Sequence, residues 1–133
     1  MRNSFGTSIS LAAGIAALAL APLAAQADMK SEVVTAATHA GLAAGASDLA
    51  GTHSHLHHAL NCLVGPNGAG FDAKELNPCA QNGHGAIPDA ADAGTKKSLM
   101  AAADKAKAGI AATDLKTAQK DASEASAMLK AVK

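Results

Sequence analysis

Apolar residues fall along this chain in stretches of different rhythm. The first, Ile9 to Leu20 (ISLAAGIAALAL), is continuous; Arg2 precedes it, and Pro22 and Ala25-Gln26-Ala27 follow. A positive residue, a short apolar run, a helix breaker and a small-x-small triplet make the pattern of a secretory signal peptide. Cleavage is expected after Ala27. The run is too short to span a bilayer comfortably, so residues 28–133 are expected as a single exported domain, periplasmic or secreted, with no membrane span after cleavage.

From Val33 to Val64 the pattern becomes periodic. Leu42, Leu49, Leu56 and Leu63 recur every seven residues, with Leu60 between the last two. This spacing draws a core-facing seam along a helix. Gly41, Gly45 and Gly51 interrupt it, each costing about 1 kcal/mol relative to Ala inside a helix. The segment is therefore either one long helix or a hairpin turning near Gly45 to Gly51. Gly65-Pro66 ends it, because Gly takes a left-handed C′ conformation and Pro cannot continue a helix.

Residues 65–89 (GPNGAGFDAKELNPCAQNGHGAIPD) lack either period and are rich in glycine and proline. They predict a long ordered loop, of a length usually tied to function, with Phe71, Leu76 and Ile87 as anchors in the core. Two helical patterns follow. Leu99, Ala103, Ala106 and Ile110 carry the first. Leu115, Ala118, Ala122, Ala125, Leu129 and Val132 carry the second at intervals of 3, 4, 3, 4 and 3, after Thr113 as a candidate N-cap. The expectation is an all-α fold: a small antiparallel bundle of three or four helices with a long disulfide-tied Gly/Pro-rich loop. Leu42, Leu49, Leu56, Leu60, Leu99, Ile110, Leu115 and Leu129 are its expected core.

Charge narrows the function. The chain of 133 residues has 11 basic and 11 acidic side chains; its only arginine, Arg2, leaves with the signal, so the mature domain carries ten lysines against 11 acids. It has no basic patch and, with no Trp or Tyr, no stacking platform. Nucleic acid is not an expected partner. Two cysteines in an exported chain predict one disulfide, Cys62 to Cys79. It would close a loop of 18 residues, worth about 3 kcal/mol in the chain-entropy picture. Neither C-x-x-C nor C-x-x-C-H occurs, so thiol redox catalysis and covalent haem attachment are not expected.

Chemistry concentrates in Thr52 to Cys62, THSHLHHALNC, which holds four of the six histidines. At 100° per residue, His53 and His57 are i, i+4 neighbours beside the leucine seam, and His39 joins that side if the helix runs straight back. His55 and His58 are i, i+3 neighbours on another face with Cys62. Pairs so spaced place two imidazoles on one ion. Imidazole suits zinc, copper(II) or nickel, whereas the scattered Met29, Met100 and Met128 of the expected mature domain argue against a copper(I) carrier. The leading ligands are His53 and His57, then His58, His55 and, delivered by the loop, His84. Asp72, Asp89 and Asp92 are further candidates. The glutamate base of H-E-x-x-H is missing, which disfavours a zinc hydrolase, and no other catalytic constellation emerges; the expected role is not enzymatic. Few aromatics make a poor haem pocket.

Two readings follow. One is a small exported protein that buffers, delivers or senses a divalent transition metal. The other is a periplasmic helical interaction or stress-response module without metal, in which the histidines are incidental or pH-responsive. Either leaves room for a protein partner or a homodimer.

Overall fold

The computed structural model describes residues 23–133, with side chains from Asp28 onward. The expected signal peptide, 1–27, lies outside these residues except for the backbone of 23–27. The described residues form five helices and no strand: α1 (Leu23–Ala44), α2 (Leu49–Val64), α3 (Ala86–Asp89), α4 (Ala93–Ala111) and α5 (Leu115–Lys130).

The periodic segment after Val33 is broken, not continuous. Gly45 closes the last turn of α1 through bonds from its N–H to the Gly41 and Leu42 carbonyls, both at 3.2 Å. Three residues later α2 starts from Asp48, whose carboxylate accepts the Gly51 N–H at 2.7 Å. That bond satisfies an amide with no partner inside the helix, and its negative charge faces the positive end of the helix dipole. Aspartate does the same work at Asp92 for α4 and at Asp114 for α5, where the Thr95 and Thr117 amides hold both carboxyls below their usual range. The cap of α5 is thus Asp114, one residue beyond the expected Thr113. Asp48→Ala is expected to cost about 1 kcal/mol, measured by urea denaturation, with no change in fold.

The four long helices share one core. α1 lies against α2 and α5, and α4 against α5 and α2. Most core side chains on α1, α4 and α5 are alanine: Ala36, Ala40 and Ala43; Ala102, Ala103 and Ala106; Ala118, Ala122 and Ala125. Such faces approach closely but remove little apolar area each. The larger share of the hydrophobic gain falls to Leu56, Leu60, Leu63, Leu99 and Leu129, all buried, at roughly 25 cal/mol per Å² removed from water. Gly109 lets α4 come close enough that a methyl there would fall 2.6 Å from Leu56 Cδ1.

Two parts of the expected core are corrected. Leu42 is 49% exposed. The seven-residue register does not survive the turn at 45–48, and α1 buries Met29, Val33, Ala36, Ala40 and Ala43 instead, a clean 4, 3, 4, 3 stripe. Leu49, Ile110 and Leu115 are half-buried rather than central. In the 65–89 segment Phe71 and Ile87 pack on the core as expected, but Leu76 is 61% exposed. That segment is also not loop throughout, since it ends in the single turn α3.

What holds the segment is polar. Asn61, fully buried at the end of α2, donates from Nδ2 to the carbonyls of Asp72 (2.9 Å) and Leu76 (3.2 Å), and accepts the Asp72 N–H on Oδ1 at 2.9 Å. One residue on, Cys62 is bonded to Cys79. Backbone groups with no helical partner thus find one in a side chain, as burial requires.

Candidate metal centre

The hairpin of α1 and α2 decides which histidines meet. His39 sits in the last part of α1, and His55 and His58 lie one turn apart in the middle of α2. Folding back at 45–48 places the three together. Their ring centroids are 5.6, 5.2 and 5.6 Å apart, with His58 edge-on to both others. One ring nitrogen from each lies within 4.8 Å of the other two, and among the described residues this is the one group of three potential ligands so close. His39 Nδ1 and His55 Nδ1 stand 3.4 Å apart. Two nitrogens bound tetrahedrally at about 2.0–2.1 Å from zinc would stand about 3.3 Å apart, so this pair already has the required span.

The protonation balance favours ligation. Burial, then the neighbouring imidazoles His58 and His55, lower the pKa of His39. Burial also lowers that of His58, more than the nearby Glu75 carboxylate raises it. Both rings are therefore neutral at pH 7, the form that has a lone pair to give.

His58 is further prepared by what surrounds it. Its Nε2 lies 3.4 Å from Glu75 Oε2, and the same oxygen accepts the Ser54 hydroxyl at 3.1 Å. A carboxylate beside Nε2 favours the proton there and leaves the lone pair on Nδ1. Nδ1 is buried and has no hydrogen-bond partner. A buried, unpartnered acceptor is unusual and costly; a bound cation would satisfy it.

The other expected ligands are elsewhere. His53 Nε2 is 3.0 Å from the Ala112 carbonyl, to which it donates, joining α2 to the end of α4. His57 points to the 65–85 segment; its Nδ1, like that of His58, is buried without a hydrogen-bond partner, and lies 3.9 Å from Asp72 Oδ2, away from the three-histidine group. His84 is largely exposed beside Asp89, at 3.3 Å. Asp92 is committed to capping α4. The structure therefore gathers His55 and His58 from the expected set with His39, and does not pair His53 with His57. A straight helix would put His39 on the side of His53 and His57; the hairpin puts it beside His55 and His58. His39 and His55 lie almost equally far from the turn at 45–48, which is the signal for facing positions in a helical hairpin. Glu75 gave no local signal at all.

No protein-family model, no curated protein and no solved structure matches this chain.

Proposed function

We propose that the protein is a small exported metal-binding protein that buffers, delivers or senses zinc, copper(II) or nickel, and that His39, His55 and His58 hold the ion. The observation that carries this is the convergence of three imidazoles from two helices, two of them already at tetrahedral span and the third with an unpartnered buried nitrogen. A hydrogen bond between His39 and His55 would account for that contact alone; it does not account for the approach of His58 to both rings. Three nitrogen ligands leave a position for water or an incoming donor, which suits an ion that must be released again. The leader-like sequence of 1–27 and the disulfide support an exported, oxidising setting.

Calorimetric titration of zinc, copper(II) and nickel into untagged mature protein tests the reading. One equivalent of metal is expected. His39→Ala, His55→Ala or His58→Ala should each weaken it by at least about a hundredfold, more than loss of an outer-shell contact typically does. His53→Ala and His84→Ala should leave affinity within a few-fold. Affinity should fall as pH drops below about 6.5, where protons compete for imidazole, and the lowered pKa of His39 and His58 should delay the fall. Equal losses at His53 and His39 would mean diffuse binding by a histidine-rich tract. No stoichiometric binding would favour the helical interaction module, whose natural surface is the apolar exposure of Val34 and Leu42 on α1.

A further inference from the structure

We infer that Glu75 is a positioning residue for His58 and that it makes the disulfide-closed segment 62–79 part of the metal site, so that metal occupancy and the order of this segment are linked. The inference rests on the His39, His55, His58 reading of the site and adds a means of regulation to it.

The segment leaves α2 at Val64, carries Phe71, Asp72 and Glu75, and is tied back to α2 at two adjacent residues. Asn61 grips the backbone of Asp72 and Leu76, which brackets Glu75. Cys62 bonds Cys79. Lys74 N–H donates to Asp72 Oδ1 at 2.9 Å, fixing the turn just before Glu75. Among the described residues the acidic side chain beside His58 thus comes from a loop with no regular secondary structure, held to the helix that bears His55 and His58. Glu75 Oε2 meets both Ser54 and His58 there.

Two consequences follow from this geometry. A carboxylate at Nε2 fixes the ring orientation and tautomer of His58 and raises the basicity of Nδ1, as outer carboxylates do for metal-bound histidines. By reciprocity, an ion on Nδ1 makes Nε2–H more acidic and strengthens its hold on Glu75, so binding tightens the segment by the same free energy with which the segment tightens binding. The exposed side chains of this segment, Leu76 among them, then report occupancy to whatever the protein meets.

The test is a double-mutant cycle read by zinc titration, with hydrogen exchange as a second measurement. Glu75→Ala is expected to weaken zinc about 10- to 100-fold, the usual effect of removing an outer-shell partner. Glu75→Gln, which keeps an acceptor for Nε2–H, should recover most of that loss. Cys62→Ala/Cys79→Ala, which frees the segment without leaving thiols to bind zinc, should weaken zinc in the parent but add little in the Glu75→Ala background. Zinc should slow exchange of the Asp72 and Lys74 amides in the parent and not in Glu75→Ala. If the parent binds none of zinc, copper(II) and nickel, the metal reading fails. If the parent binds and Glu75→Ala binds equally well with the same protection, the metal reading stands and this inference is overturned. A loss as large as that of His58→Ala, unrelieved by Gln, would make Glu75 a ligand and overturn it too. Equal weakening by the cysteine variant with and without Glu75 would show that the segment does not act through Glu75.

Discussion

Gly65→Ala is expected to cost more than about 4 kcal/mol, a large share of the roughly 5–15 kcal/mol that keeps a small domain folded. Gly65 ends α2 with φ of 67°, and a β-carbon built there falls 1.6 Å from the His84 carbonyl oxygen and 2.5 Å from its carbon. The left-handed conformation alone costs on the order of 1–3 kcal/mol for a side-chain-bearing residue. The overlap is worse, because its partner is backbone and no rotamer change relieves it. Gly85 faces the same contact from the other side: its φ is 115°, and a β-carbon there would lie 2.5 Å from the Gly65 nitrogen. Two backbones therefore touch where the 65–85 segment returns to the end of α2. Since both substitutions break one contact, their costs should not add; once Gly65→Ala has forced the strands of chain apart, Gly85→Ala should cost little more. Urea denaturation of the single and double variants measures this. A Gly65→Ala midpoint close to that of the parent would remove the backbone contact from any account of stability.

That contact also shows where sequence reasoning ran out. Helix patterning was readable over α2, α4 and α5 because their buried residues repeat at 3 and 4 and tertiary packing uses the same stripe. The disulfide was readable from the cysteine count together with the leader-like pattern of the first residues. The register of α1 was not, because a seven-residue leucine repeat ran across a turn that physically resets it. The turn residues Gly45, Ser47 and Asp48 were the better guide than Leu42. The candidate site suffered from the same error: His39 falls on the wrong face of a straight helix and on the right face of a hairpin. Glu75 and Gly65 belong to another class. Their roles depend on the long-range hold of Asn61 and on the return of the chain at His84 and Gly85, and neither leaves a periodic trace.

Glu32→Gln is expected to stabilise the protein above pH 7 and to change it little at pH 4. Glu32 is fully buried on α1, two turns before His39. Its Oε1 accepts the Gly85 N–H at 2.9 Å, while Oε2 is buried without a partner. Burial raises its pKa from 4.5 to about 7; the Asp89 and Asp28 carboxylates push in the same direction, and the Gly85 N–H and His84 oppose them. The folded state thus keeps a proton that the unfolded chain releases near pH 4.5. Stability from this group is complete below pH 4.5 and is lost as pH rises to about 7, because the native form binds more protons across that window. At about 1.4 kcal/mol per pH unit the full loss is on the order of 3 kcal/mol. His39 and His58 act in the other direction. Their lowered pKa values make the unfolded chain the better proton binder just below pH 6.5, so they add stability as pH rises through that range. In the parent the two trends partly cancel between pH 5 and 7. Glutamine has no proton to lose, so Glu32→Gln should expose the rise due to the histidines and exceed the parent by about 2–3 kcal/mol at pH 8. Urea melts of both proteins from pH 4 to 8, in chelator so that no metal stabilises the folded state, decide it. Parallel profiles would show that Glu32 titrates as an ordinary carboxylate and that its buried oxygen finds a partner in solution.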